Sequence, residues 1–361
     1  MNEFTEIKEI VGEDATGKNI YINGFKIQGK NSGPTVYIQA ALHGAEIQGN
    51  VVIYKLIEFF KNNEFSGEII LIPHSNPIGA NVKSGTHSLG RFDTITGENW
   101  NRGFVDLYSI EENHQNLEKL CKSDSKDIIS DFKNLNLNII TKLLSNPSTL
   151  SRSRRLSLTL QKLSASADIL LDLHTGPAAT EYLYCSERQI NEVEEFKIKN
   201  VINIPNEFSG AMDESFFINW HRLDLELANL NKPKINHGRS FTVELGSEET
   251  VSEKSADYFF NKILGYLGAR GILSFENPDI ADQIIRPLKN FKTIYAPAGG
   301  LYEFSSSPGS KVKKGENLAR FMNLNTMTWK EIIAEEDCIV INHCPSSQIH
   351  SGMELVQILT L

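Results

Sequence analysis

Residues 35–46, Thr-Val-Tyr-Ile-Gln-Ala-Ala-Leu-His-Gly-Ala-Glu, decide the reading of the fold. Thr35 to Leu42 is an apolar, partly β-branched run of strand length that stops at His43-Gly44. A helix is expected over Ile47 to Lys61, where Val51, Val52, Leu56, Phe59 and Phe60 recur at near-helical spacing. Glu68 to Pro73 (EIILIP) is a second short apolar strand. Strand, helix, strand in this order is a crossover unit of an α/β sheet.

The pattern continues outward. Ile169 to Leu173 (ILLDL) is a buried-strand signal that ends at His174-Thr175-Gly176, and Ser240 to Leu245 (SFTVEL) is another that ends at Gly246. Glu253 to Arg270 reads as a helix with Tyr258, Phe259, Ile263, Leu264 and Leu267 on one side and Gly271 where a C-terminal cap belongs. Residues 75–104 read as a long loop carrying Arg91, Arg102 and several amides, a length that favours function. Residues 105–165 are expected to be a helical insertion, with amphipathic helices over Asp127 to Leu144 and Leu156 to Leu163. After about residue 285, short β-like runs alternate with turns such as Ser307-Pro308-Gly309 and Lys314-Gly315, which suggests a small all-β module.

The fold class expected is therefore α/β, a mixed and mainly parallel central sheet flanked by helices, followed by a C-terminal β barrel-sandwich. The expected division is 1–285 and 286–361. A length of 361 residues agrees with two unequal domains. Thirty-six basic against forty-five acidic residues give a net charge of −9, which argues against a nucleic-acid or anionic-membrane partner. Four cysteines without C-x-x-C spacing make neither a disulfide scaffold nor a thiolate metal site. The first residues lack the order of a signal peptide, and no apolar run is long enough to span a bilayer. The expected compartment is the cytoplasm.

Three strand ends carry unusual residues: His43 and Glu46 as H-x-x-E after the first strand, His174 after the ILLDL strand, and Glu244 near the end of SFTVEL. Ligands of α/β sheets bind outside the carboxyl ends of the strands, so these groups could converge. Two imidazoles and one carboxylate suit Zn²⁺ with an open position for water. The metal would acidify that water and polarise a carbonyl, and Glu244 would move the proton as general base and acid. The competing reading makes the histidines structural and Glu244 half of a buried ion pair, with Arg239 or an insertion arginine as its partner. In the loop, Asn99-Trp100-Asn101-Arg102-Gly103-Phe104 offers an arginine fork and an amide for a substrate carboxylate, and Arg91 could steady an oxyanion. Taken alone, both arginines also read as solvated loop charges.

Other catalytic patterns are absent: G-x-S-x-G, G-x-G-x-x-G and a P-loop do not occur. Cys185 reads as a buried thiol before it reads as a nucleophile. His74, His87, His221 and His237 have no partner spacing, although His87 and His221 could approach the site in space.

The chain resembles the succinylglutamate desuccinylase/aspartoacylase family, a branch of the zinc carboxypeptidase-like enzymes. The resemblance rests on Gly33-Pro34, His43-Gly44-Ala45-Glu46 with Gln48-Gly49, and Pro73, Asn76-Pro77 and Gly79. It continues through Asn101-Arg102 with Phe104, Leu171-Asp172-Leu173-His174 and Thr242-Val243-Glu244-Leu245-Gly246, and it extends to about residue 280. It implies one zinc per chain held by His43, Glu46 and His174, with Glu244 catalytic, Asn101 and Arg102 on a substrate carboxylate, and Arg91 as the loop arginine. Asn99-Trp100 stands where the family usually has Asp-Leu. The C-terminal segment resembles the hammerhead-like barrel of biotinyl and lipoyl carriers, but Lys330 lacks the carrier context, so the module reads as a cover for the active-site entrance.

The function expected is a zinc-dependent amidohydrolase that deacylates a small N-acylated amino acid. The alternatives are a metallocarboxypeptidase and, from another class, a non-catalytic binding protein on a hydrolase fold. The expected partner is a small amide or peptide bearing a carboxylate, with no nucleic acid and no membrane, and a homo-oligomer is compatible with the sequence.

Overall fold

A computed structural model describes residues 2–276 and 282–361. Its elements run in chain order as β1 (Glu3–Glu13), β2 (Asn19–Gln28), β3 (Asn31–Ala40), α1 (Gln48–Asn62) and β4 (Ser66–Ile72). Then come α2 (Glu111–Lys122), α3 (Ile128–Leu144), α4 (Arg152–Ser164), β5 (Ile169–Gly176), β6 (Glu181–Ser186) and β7 (Asn200–Ile204). The catalytic-type unit closes with α5 (Met212–Asn229), β8 (Arg239–Ser247), α6 (Glu253–Ala269) and β9 (Ile284–Pro287).

The nine strands form one sheet in the order β1-β2-β4-β3-β5-β8-β6-β7-β9. Five neighbouring pairs are parallel, and three are antiparallel: β1 with β2, β2 with β4, and β8 with β6. The mixed, mainly parallel sheet is as the sequence implied. The central strands β3, β5 and β8 run parallel side by side, so their C-terminal ends meet at one edge.

Alternation along those strands sorts side chains onto two faces. Ile38, Leu171 and Val243 pack with Val52, Leu56 and Phe60 of α1 and with Phe259, Ile263 and Leu267 of α6. The opposite face holds Tyr37 and Leu170 under Trp100, Phe132, Leu156, Leu160, Met212 and Trp220. Helices therefore cover both faces, the three-layer solution for a mostly parallel sheet.

The helices expected over 127–144 and 156–163 appear as α3 and α4, each begun by a side-chain cap. Asp127 accepts from the Ser130 N–H and Ser151 from the Arg154 N–H. Capping lets α4 start four residues before its first expected apolar position.

β9 crosses residues 284–287, and the change of architecture falls between Pro287 and Phe291. Beyond it, strands Phe291–Tyr295, Glu354–Thr360, Cys338–His343 and Lys311–Val312 form one antiparallel sheet. Thr328–Ile333, Asn317–Asn323, Gly300–Phe304 and Gln348–Ile349 form a second. Tyr302, Leu318, Phe321, Val340, Leu355 and Ile358 fill the space between them. Lys330 is exposed in mid-strand opposite Phe321 and not at a hairpin tip. A two-residue strand, Ala178–Ala179, leaves the loop after β5 and pairs with Asn342 and His343 of this module.

Candidate active site

The backbone turn after β3 places the first two groups. Ala41 adopts φ 56°, a left-handed conformation that costs a non-glycine residue about 1–2 kcal/mol. The turn is tied down from the next loop. Ser75 donates to the Ala40 carbonyl from both its N–H and its hydroxyl at 2.9 Å, and Asn76 Nδ2 donates to the Leu42 carbonyl at 2.8 Å. Gly44 lies so close to the neighbouring loop that a Cβ there would sit 2.3 Å from the Gly79 carbonyl oxygen. Gly49 lets α1 approach the strand ends, since a Cβ would meet that of Ala40 at 2.7 Å.

β3, β5 and β8 bring His43, Glu46, His174 and Glu244 to one wall of a cavity of about 820 Å³. His43 Nδ1 is 2.7 Å from Glu46 Oε1, and His174 Nδ1 is 2.7 Å from Glu46 Oε2. The three side chains are buried, and one donor atom from each lies within 4.8 Å of the others.

The other nitrogen of each ring is already engaged. His43 Nε2 faces Asn99 Oδ1 at 2.9 Å, and His174 Nε2 faces Asp172 Oδ2 at 2.9 Å. Asn99 Oδ1 also accepts from the Asn101 N–H at 2.8 Å, which fixes the amide with its oxygen toward the ring. Acceptors hold a proton on each Nε2, so a metal placed between the rings and Glu46 would displace any proton from Nδ1 and take its lone pair. This donor set, two imidazoles and a carboxylate with an outer acceptor on each ring, fits zinc.

Behind Asp172 a buried chain continues across the sheet. The Tyr37 hydroxyl donates to Gln39 Oε1 at 2.8 Å, and Gln39 Nε2 donates to Asp172 Oδ1 at 2.9 Å. Burial opposes ionisation of Glu46, yet His43 and His174 outweigh it and hold its carboxyl well below the usual range. Burial likewise opposes a charged His174, but Asp172 and Glu46 outweigh it and raise its pKa.

Glu244 lies beside His174 in the parallel register. Burial pushes its carboxyl up to about 7, with Glu46 adding to the rise and His174, Arg91 and the Tyr182 hydroxyl working against it. Its Oε2 is buried without a hydrogen-bond partner. The ion pair between Glu244 and Arg239 considered from sequence does not form, because Arg239 begins the strand and donates to Glu192 at 2.9 Å. The insertion arginines Arg152 and Arg154 turn instead to Asp93 and to the Phe104 carbonyl.

Arg91 Nη1 reaches Glu46 Oε1 at 3.3 Å. Asn101 spends Oδ1 on the N–H of Met212, the first residue of α5, at 2.9 Å, so its Nδ2 is the group left for a ligand. Arg102 lines the cavity and donates to the Asn101 carbonyl at 2.6 Å. The far walls come from Tyr182 and Tyr184 of β6, Asp213 of α5, and Phe291, Asn342 and Gln357 of the C-terminal module. Burial, with Glu214 and Asp172 adding, pushes Asp213 up to about 7.

Asp172, Tyr182, Tyr184 and Asp213 had no assigned role in the sequence. Asp172 was findable: side chains at i and i+2 of a strand share a face, so a buried Asp two residues before a strand-end His is placed to orient it. Cys185 is buried, and burial pushes its thiol up, away from nucleophile character. Among the other histidines, His74 contacts Asn50, His237 contacts Asp168, His87 faces Glu249, and His221 is absent from the cavity wall.

Residues 32–269 match the succinylglutamate desuccinylase/aspartoacylase catalytic domain. The chain belongs to this family. Crystal structures of two family proteins superpose over almost its full length. That from Shewanella frigidimarina NCIMB 400 is 34% identical with a TM-score of 0.94, covering 100% of this chain and 98% of the other. That from Shewanella amazonensis SB2B is 34% identical with a TM-score of 0.91, covering 99% and 98%. The product-bound ectoine utilization protein EutE of Ruegeria pomeroyi shares the fold at 18% identity and a TM-score of 0.70, covering 100% and 96%. No curated protein matches the sequence. Membership places the chain among deacylase-type hydrolases. Among the described residues no helix is long and apolar enough to cross a membrane.

Proposed function

We propose that the protein is a zinc-dependent deacylase that hydrolyses the amide bond of a small N-acylated amino acid. The observation that carries the reading is the pair of Nδ1 atoms turned onto Glu46, each ring anchored at Nε2, with the unpartnered Glu244 oxygen in the same cavity. His43, Glu46 and His174 would hold the zinc, which when bound acidifies water and polarises a carbonyl.

The remaining work falls to the chain's own residues. Glu244 takes a proton from the attacking water and delivers it to the nitrogen as the C–N bond breaks, and its raised pKa suits both transfers. Arg91 faces the oxygen that gains charge as the carbonyl becomes tetrahedral. Arg102 and the Asn101 amide hold the substrate carboxylate. We assign this chemistry to the 1–285 unit and read 286–361 as a cover that walls the cavity through Phe291, Asn342 and Gln357. That wall favours a small acyl amino acid over the C-terminus of a peptide, the substrate of a metallocarboxypeptidase.

The test is metal analysis with a hydrolysis panel of N-acyl amino acids and short peptides. Zinc is expected at about one per chain. Glu244→Gln should keep the metal and lose about 10²–10⁴ in kcat. Near-normal turnover by that variant would reject the role of Glu244, and absence of zinc after loading would reject the site.

A further inference from the structure

We infer that this site accepts N-acyl amino acids with a single carboxylate and turns away those with a second, whether on the acyl group or on the amino-acid side chain. The inference rests on the deacylase reading and adds the charge class of the substrate. The family takes its name from substrates with more than one carboxylate, so the name alone points the other way.

The argument is an inventory of charge on the cavity wall. Apart from the histidines, its cationic side chains among the described residues are Arg91 and Arg102. Arg91 is already against Glu46 at 3.3 Å, where it serves the reacting carbonyl. Arg102 has no carboxylate partner among the described residues and can hold one. A second carboxylate would need a third cation, because an ionised group taken from water into a cavity without a counter-charge costs several kcal/mol.

The rest of the wall repels it. Glu207, Asp213, Glu214, Glu248 and Glu354 are acidic, and Tyr182, Tyr184, Asn342 and Gln357 are neutral. The charge of a bound metal does not change the count at the far wall. It sits in the His-Glu-His group, where Glu46 faces both rings and Asp172 lies behind one of them. Asp213 resists ionisation chiefly because it is buried, and Glu214 and Asp172 add to that. A substrate carboxylate brought to the same wall would lose water and face the same acidic neighbours. Asn342 Nδ2 donates to Gln357 Oε1 and Gln357 Nε2 to Thr293, so this part of the wall is neutral and offers no counter-charge.

The test uses isosteric pairs on the zinc-loaded protein: N-acetylglutamine against N-acetylglutamate, N-acetylasparagine against N-acetylaspartate, and N-succinamoyl- against N-succinylglutamine. Each pair differs chiefly in one charge. Binding is read by calorimetry and turnover as kcat/KM. The neutral member of each pair should win by about 100-fold, the scale of a like-charge juxtaposition. Equal or tighter binding of the diacids, or binding of neither member, overturns the inference. Binding of the neutral members without hydrolysis of any compound would uphold the charge selection and sink the deacylase reading, so the two failures are separable.

Discussion

Replacing Asp172 by Asn should cost the site its metal before it costs the protein its fold. Asp172 Oδ1 accepts from Gln39 Nε2 and Oδ2 faces His174 Nε2, both at 2.9 Å. Gln39 cannot turn round freely, because its Oε1 is held by the Tyr37 hydroxyl at 2.8 Å. An Asn at 172 has one acceptor where two are required. With its NH₂ toward Gln39, two donors oppose each other. With its NH₂ toward His174, Nε2 must accept, the ring keeps its proton on Nδ1, and the lone pair a metal would use there is lost. Loss of such an outer partner typically weakens metal binding by about 10–100-fold, or about 1.4–2.7 kcal/mol. The assay is zinc competition against a chromophoric chelator near neutral pH, with a thermal melt of each zinc-free protein to establish that the variant is folded. A folded Asp172→Asn protein with wild-type zinc affinity would refute the assignment of His174 Nδ1 as a ligand atom and with it the tautomer argument.

Three further outcomes follow from other parts of the structure. Arg102→Ala should raise KM by about 10–100-fold with little change in kcat, as expected for a group that holds the carboxylate equally before and during reaction, and an unchanged KM would remove the anchor. Gly44→Ala should lower both zinc content and Tm, since the new Cβ falls 2.3 Å from the Gly79 carbonyl; normal metal content and melting would show that the loop yields at no cost. Asp168 accepts from the Thr35 N–H at 2.7 Å, from His237 at 2.6 Å and from Lys133. Burial opposes its ionisation, but His237 and Lys133 prevail and bring its pKa from 3.8 down to about 2. Its contribution of about 2 kcal/mol is complete above pH ~4 and disappears as the pH falls through about 2, so Asp168→Asn should destabilise the protein at neutral pH and flatten the acid limb of its stability curve. Equal stability of the two proteins at neutral pH would contradict this.

The parts of this fold that were legible in the sequence are those where burial on both faces forces an unbroken apolar run. Thr35–Ala40, Ile169–Leu173 and Ser240–Leu245 lie in central strands of the sheet, although the apolar run to Leu42 continues into the turn, and their ends hold the H-x-x-E pair, His174 and Glu244. The N-terminal hairpin was not legible. β1 is an edge strand with most residues half-exposed or exposed, and its register slips between Ile10 and Gly12, so no clean alternation survives. β7 and α5 were missed for related reasons: NVINI is too short to stand out, and α5 buries Asp213, Asn219 and Asp224 among its apolar residues, which blurs its face. At the site, residue types disclosed that His43, Glu46 and His174 would meet, because each stands at the end of a central strand. They did not disclose the cavity wall. Asp213, Asn342 and Gln357 reach it from three elements far apart in the chain, and no local spacing announces such a meeting.

The short pairing of Ala178–Ala179 with Asn342 and His343 limits how the β module can be studied or exchanged. The segment that carries this pairing begins two residues after β5, the strand that contributes His174, and Thr180 adds a further N–H bond to the Ile341 carbonyl at 2.9 Å. Truncation at the end of β9 would therefore not merely unroof the cavity. It would strip a sheet partner from the backbone that follows His174 and leave raw polar groups there. Loss of activity in such a truncation would report a loosened His174 as readily as a missing wall. A chimera that grafts a relative's C-terminal module should carry residues 177–180 with it, because that tetrapeptide belongs mechanically to the module although the chain delivers it with the hydrolase.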